Sequence, residues 1–141
     1  MSIVEANMFG CTKLVCGKLR EVWICDKVIK DFRKADKQMQ QRIAKILDKY
    51  CDCERSALGP TQFKLAQREK KGGKSIALKE FKAYQLRLYG IEETIEGNQI
   101  FIIVTVDAQK KQNKAKLNKI STALSKSWIY TEEIEKHHGK S

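Results

Sequence analysis

Leu78–Lys116, LKEFKAYQLRLYGIEETIEGNQIFIIVTVDAQKKQNKAK, is the stretch whose reading decides the fold. Within it, Ile100 to Val106 is an unbroken apolar and β-branched run. It is too short for an ordinary helix and has the composition of a strand buried on both faces. Gln85 to Ile95 also favours strand, and Glu96, Gly97 and Asn98 separate the two runs with residue types that permit a tight reversal. A β-hairpin follows. Directly after it, Asp107-Ala108-Gln109-Lys110-Lys111 sets two positive charges where the last strand ends.

Working outward, Ile76 to Phe81 reads as a further strand, turned back through Lys82-Ala83-Tyr84 so that Lys79 and Arg87 are expected near one another across an antiparallel pair. Upstream, Gly59-Pro60 and Gly72-Gly73 mark loops on both sides of Phe63-Lys64-Leu65. That region carries Lys64, Arg68, Lys70, Lys71 and Lys74, either a solvated loop or a clamp for phosphates. Before it, Asp36 caps a helix with Met39, Ile43, Ile46, Leu47 and Tyr50 on one face. Its other face, including Arg42, reads as solvated. Val28, Ile29 and Phe32 form a preceding helix, so the two make a helical hairpin, and Glu21 to Cys25 is a strand before them. Downstream, Leu117, Ile120, Leu124 and Trp128 form the stripe of a closing helix. The sum is an α+β fold: an antiparallel sheet of about four strands, packed by an N-terminal helical hairpin and a C-terminal helix. Residues 20–130 form the domain, 1–19 an extension with room for an extra hairpin, and 131–141 a tail.

With 141 residues the chain is the size of one domain, and its net charge of +11 and pI near 9.5 favour a polyanionic partner, nucleic acid first. An anionic membrane surface or an acidic protein satisfies the same charge. There is no apolar run near the roughly 20 residues that span a bilayer, so no membrane association and a cytoplasmic location are expected. The five cysteines, Cys11, Cys16, Cys25, Cys51 and Cys53, are an odd number with no signal peptide before them and read as reduced thiols, and a zinc site is not expected because neither close pair has C-x-x-C spacing and the histidines, His137 and His138, lie far away. No metal and no cofactor are expected. A phosphate-binding glycine loop, a G-x-S-x-G elbow and an H-E-x-x-H helix are all absent from the sequence, which removes the enzyme classes built on them.

Leu78-Lys79-Glu80-Phe81, then Tyr84-Gln85-Leu86-Arg87-Leu88-Tyr89-Gly90, the apolar strand, and Lys110-Lys111 with Lys114 before a helix ending near Ala123 together resemble the RelE/ParE superfamily of bacterial toxins, in its RelE- and HigB-like branch. The resemblance spans about Arg20 to Leu124. It implies the toxin of a toxin–antitoxin system, with a cognate antitoxin, the ribosome and mRNA as partners, and ribosome-dependent cleavage of the message. Carried onto this sequence, it implies Arg87, Lys79 and Lys110 or Lys111 as catalytic residues. Lys64, Arg68, Lys70, Lys71, Lys74, Lys82, Lys114 and Tyr89 are then RNA-binding candidates. The aromatic near the family's C-terminus has Tyr130 as its nearest counterpart.

Metal-free RNA cleavage needs the ribose 2′-hydroxyl to attack the adjacent phosphate while charge builds on non-bridging oxygens and the leaving 5′ oxygen. Arg87, permanently charged and able to donate as a fork, suits the first demand, and Lys110 or Lys111 suits protonation of the second. Lys79 becomes a candidate base where Lys82 and Arg87 crowd it, since like charges depress a lysine pKa. The bland reading of Arg87 is an ion pair with Glu80 or Glu92. Two other functions fit the same residues: a ParE-like inhibitor of DNA gyrase, and a non-catalytic nucleic-acid-binding module.

Overall fold

The computed structural model of the protein describes residues 10–108 and 113–138. Its elements in order are β1 (Cys11–Cys16), β2 (Glu21–Cys25), α1 (Ile29–Arg33), α2 (Lys37–Asp52), β3 (Phe63–Lys71), β4 (Lys74–Ala83), β5 (Leu86–Ile95), β6 (Asn98–Asp107) and α3 (Asn113–His138). The strands form one six-stranded sheet in the order β1-β2-β6-β5-β4-β3. Neighbours are antiparallel except β2 and β6, which run parallel with Val22 opposite Phe101 and Ile24 opposite Ile103.

The sheet therefore differs from the expected four antiparallel strands in number and in direction. One added strand is Cys11–Cys16, in the segment read as an extension, which pairs with β2. The other is β3, in the segment read as loop. Its exposure repeats as one half-buried residue to two exposed ones, so no period-two apolar pattern marks it. An edge strand bonded on one side tolerates such a sequence, and lysines there discourage further pairing. The parallel pair is invisible to periodicity because β2 and β6 are far apart in the chain, and apolar alternation carries no sign of a partner's direction. The helical hairpin is also corrected. Only a five-residue helix, with no buried side chain, follows the 3₁₀ turn at Asp26–Val28, so α2 packs on the sheet alone as a full helix.

The hairpin at the centre forms as its residues dictate. Glu96 and Gly97 occupy the turn with φ of 53° and 83°, the left-handed pair that a two-residue connection between twisted strands requires. In β6 every residue from Ile100 to Asp107 is buried. Both faces are covered, as the adjacent residues Glu92 and Glu93 of β5 show: Glu92 accepts a hydrogen bond from Tyr50 of α2, while Glu93 meets Thr131 of α3. On the α2 side Tyr50, Phe63, Phe81 and Phe101 form a ring cluster with centroids 4.5 to 6.1 Å apart. Offset and edge contacts of this kind add about 0.5–1.5 kcal/mol each to area burial. Buried Arg20 donates to the carbonyls of Tyr50 and Cys53, satisfying the C-terminal end of α2, and its guanidinium lies 4.8 Å from the Tyr50 ring centroid.

α3 runs unbroken from Asn113 to His138 across the other face, so the segment read as a tail continues the closing helix as far as His138. Its buried side chains Ile120, Ala123, Leu124, Ser127, Trp128 and Ile134 face the sheet. Trp128 Nε1 donates to Glu69 of the edge strand at 2.5 Å, tying β3 to the helix. No helix among the described residues is long and apolar enough to cross a membrane.

Candidate functional site

The register of β4, β5 and β6 decides which cations meet. Lys82 stands opposite Arg87, and Arg87 stands opposite Asp107, so these three share one face in a row across the sheet. The next row on that face is Glu80, Tyr89 and Thr105. Lys79 is an odd number of residues from Lys82, and strand alternation sends it to the other face. Arg87 and Lys79 are therefore separated by the sheet rather than brought together by it.

On the α2 face, Lys79 Nζ lies 2.6 Å from Glu92 Oε1, and Tyr50 donates to Glu92 Oε2 at 2.5 Å. The ammonium also lies 5.8 Å from the Phe63 ring centroid. A carboxylate with each oxygen engaged, beneath an aromatic cluster, makes this a half-buried structural pair. The crowding by Lys82 and Arg87 that would have favoured a lysine base does not arise.

On the α3 face, Arg87 Nε lies 3.6 Å from Glu80 Oε2, so the pairing with Glu80 is the one formed. Glu80, Tyr89, Thr105 and Asp107 are buried, whereas Lys82 and Arg87 are half-buried at the rim. Burial, and then the carboxylate of Glu80, push the Tyr89 hydroxyl well above the ordinary phenol range, with Asp107 adding to this and Arg87 opposing it. Tyr89 is fully buried, so its ring offers no face to a base. Lys119 of α3 reaches the carbonyl of Val106 at 3.4 Å, which places that part of the helix beside the end of β6.

The turn from β4 to β5, read from the sequence only as a reversal through Lys82-Ala83-Tyr84, adds a further feature. Tyr84 has φ of 57° and is 60% exposed. The left-handed region is costly for a side chain that cannot bond its own backbone, and such strain clusters at functional positions. Arg42 of α2, read as part of a solvated face, places its guanidinium 5.6 Å from the Tyr84 ring centroid. Arg42, Lys82 and Tyr84, with Ile46, Thr61 and Gln62, line a cavity of about 370 Å³. The one signal for this in the sequence is an aromatic standing in a reversal, where Gly or Asn is usual, four residues from the next hairpin-strand tyrosine's neighbour Leu88 and two from Lys82.

The basic series on the β3–β4 hairpin divides between the faces. Arg68 lies opposite Ala77 and Lys70 opposite Ser75, while Glu69 and Lys71 point to the α3 side. There Lys71 Nζ sits 5.4 Å from the Trp128 ring centroid and Lys74 pairs with Glu135 at 2.6 Å. Lys64 lies opposite Glu80, at the polar rows' edge. Lys64, Arg68, Lys70 and Lys71 are exposed, but alternation and these local partners keep them from forming one clamp. Lys110 and Lys111 lie outside the described residues, and Lys114 is described only as part of the first turn of α3. Among the described residues no group of His, Cys, Asp and Glu is arranged to hold a metal ion.

Compared with protein-family models, with curated proteins and with solved structures, the chain matches none.

Proposed function

We propose that this chain is a toxin of the RelE-like kind that stops translation by cutting mRNA on the ribosome, working at the sheet end where β4, β5 and β6 present Lys82, Arg87 and Asp107. The observation that carries this reading is that row. It joins the strand arginine to a second cation on one face, and the chain leaves Asp107 towards Lys110 and Lys111 after only two intervening residues. Arg87 neutralises charge on the non-bridging oxygens of the attacked phosphate, and the carboxylate of Glu80, 3.6 Å from its Nε, holds its guanidinium beforehand. Lys82 binds the adjoining phosphate. Tyr84, backed by Arg42, stacks a base beside the scissile bond, a contact open to any base because each has a π-face. Lys110 or Lys111 gives the proton to the leaving 5′ oxygen. The antitoxin would be a protein that covers this same end of the sheet.

Primer extension on a message in cell-free translation tests the reading. Purified protein should generate new 5′ ends in mRNA engaged by ribosomes, and Arg87→Ala should remove them. Translation arrest with intact message, together with loss of DNA supercoiling, would instead establish the gyrase inhibitor.

The Arg87–Glu80 pair favours a second reading, a non-catalytic RNA-binding module, since a guanidinium committed to a buried carboxylate serves structure as readily as catalysis. RNA retention without new 5′ ends, weakened by salt with a log-log slope of about 0.7 per phosphate contacted, is its signature.

A further inference from the structure

On the far side of the sheet from the β4–β5 turn, two cysteines face each other across the β1–β2 pair. Cys11 is the direct antiparallel partner of Cys25. Opposed residues in such a pair have Cα atoms about 4.5–5.5 Å apart. That lies inside the range of about 4.4–6.8 Å that a disulfide spans. Both are free thiols. Both are buried, and Cys25, unlike Cys11, also lines a cavity of about 360 Å³ bordered by Lys27, Lys126, Tyr130 and Glu133. Tyr130 of α3 donates its hydroxyl to Cys25 Sγ at 2.9 Å. One sulfur thus belongs to a residue on a cavity wall and has a proton donor against it, and the other is paired with its cross-strand neighbour.

We propose that Cys25 and Cys11 form a dithiol that reacts with hydroperoxides, Cys25 as the attacking sulfur and Cys11 as the resolving one, closing to a disulfide between β1 and β2. The Cys25 thiolate attacks the terminal peroxide oxygen, the O–O bond breaks, and the departing alkoxide or hydroxide takes a proton from Tyr130, which solvent restores. Cys25 is then a sulfenic acid. The Cys11 sulfur attacks it, the S–O bond breaks, and the released hydroxide leaves as water with the Cys11 proton. One dithiol and one hydroperoxide give one disulfide, one alcohol or water, and one water, so two electrons pass from sulfur to oxygen.

The surroundings divide the two sulfurs as this chemistry needs. The Cys11 hydrogen bond holds the Cys25 thiol down at about 5 against the opposing effect of burial, with help from Tyr130, the Lys27 backbone N–H and the charge of Lys126. Cys11 is pushed well above the usual thiol range by its bond to Cys25 and by burial, and the nearby Asp26 carboxylate adds to this. Tyr130 is raised too, through burial and its bond to Cys25, and so remains a donor. Glu133 is the other charged group on that stretch of α3 at the cavity. The remaining cysteines contrast with this pair. Burial, then Asp48 and Asp52, push Cys51 up to about 12, and Cys16, although exposed, has no thiol opposite it, since its partner in the register is Glu21.

Peptide mapping of the reduced full chain after substoichiometric hydrogen peroxide tests the proposal without any variant. The expected product is one cross-link joining Cys11 to Cys25, and iodoacetamide at pH 6 should label Cys25 about tenfold faster than exposed Cys16. In Cys11→Ser the reaction should stop at a sulfenic acid on Cys25 that dimedone captures. Oxidation of Cys16 or Cys53 ahead of a Cys11–Cys25 pair recovered as thiols would overturn the proposal, as would slower labelling of Cys25 than of Cys16.

Discussion

Lys79 and Lys82 stand three residues apart on the same strand, and the structure gives them opposite surroundings. On the α2 face, Lys79 is bound to a carboxylate whose second oxygen is held by Tyr50. On the α3 face, Lys82 is opposite Arg87 at the half-buried rim of a polar patch. The difference teaches how to separate a structural cation from a working one in a strongly basic chain. A lysine whose partner is itself fully engaged holds the fold, whereas one set beside a second cation is, on the proposed reading, the one that takes a ligand.

The largest expected effect lies on the α3 face. Arg87→Ala should lower the rate of mRNA cleavage by about 10²–10³-fold, the loss typical of removing one donor from a site of developing charge. The measurement is single-turnover primer extension, with circular dichroism to establish that the variant folds. On the α2 face the matching change should affect stability instead. Lys79→Met leaves Glu92 half-buried without its cation, and urea unfolding should show a loss of about 1–3 kcal/mol while cleavage per folded molecule is unchanged. A variant that keeps its stability and loses cleavage would reverse the two assignments.

Tyr84 sharpens the comparison from the turn that joins the strands of both faces. Tyr84→Ala should weaken single-stranded RNA binding by about 1–3 kcal/mol, measured by fluorescence anisotropy. Tyr84→Gly should do the same while raising stability, because glycine accepts a φ of 57° without strain.

A smaller effect concerns pH. Burial, and then Glu135, raise the Glu93 carboxyl above its ordinary range. Between its unfolded and folded pKa values the native state holds more protons than the unfolded one, so this group's contribution falls as pH rises through that window. Glu93→Gln should therefore stabilise the protein at neutral pH, with the gain disappearing at a pH below the usual carboxyl value. Thermal unfolding at the two pH values checks it. Smallest of all, Lys74→Ala should leave stability within error, since its partner Glu135 is met in open solvent.

How much of this was legible in the sequence depended on whether local chemistry or long-range pairing decided the feature. The hairpin at Glu96-Gly97 was readable because its turn residues and the run Ile100–Val106 act within a few positions of one another. The cap at Asp36 was readable for the same reason, and the structure shows its carboxylate accepting from the Gln38 amide. β3 was hidden by its own lysines, and the parallel contact of β2 with β6 is fixed by packing that no local pattern records. In the candidate site, an ion pair of Arg87 with Glu80 or Glu92 was readable from the residues, and the structure forms the one with Glu80. The placing of Lys79 was not readable, because a register offset of one residue exchanges the two faces of a strand. Arg42 and Tyr84 come together only once α2 lies across the β4–β5 turn.

The most direct test of the division between the two faces is primer extension on ribosome-bound mRNA with Lys79→Met and Arg87→Ala side by side, each corrected for its folded fraction. The account predicts that the Lys79 variant cuts at the rate of the unmodified protein and the Arg87 variant cuts about 10²–10³-fold more slowly. Cleavage that survives in Arg87→Ala and vanishes in Lys79→Met would contradict it.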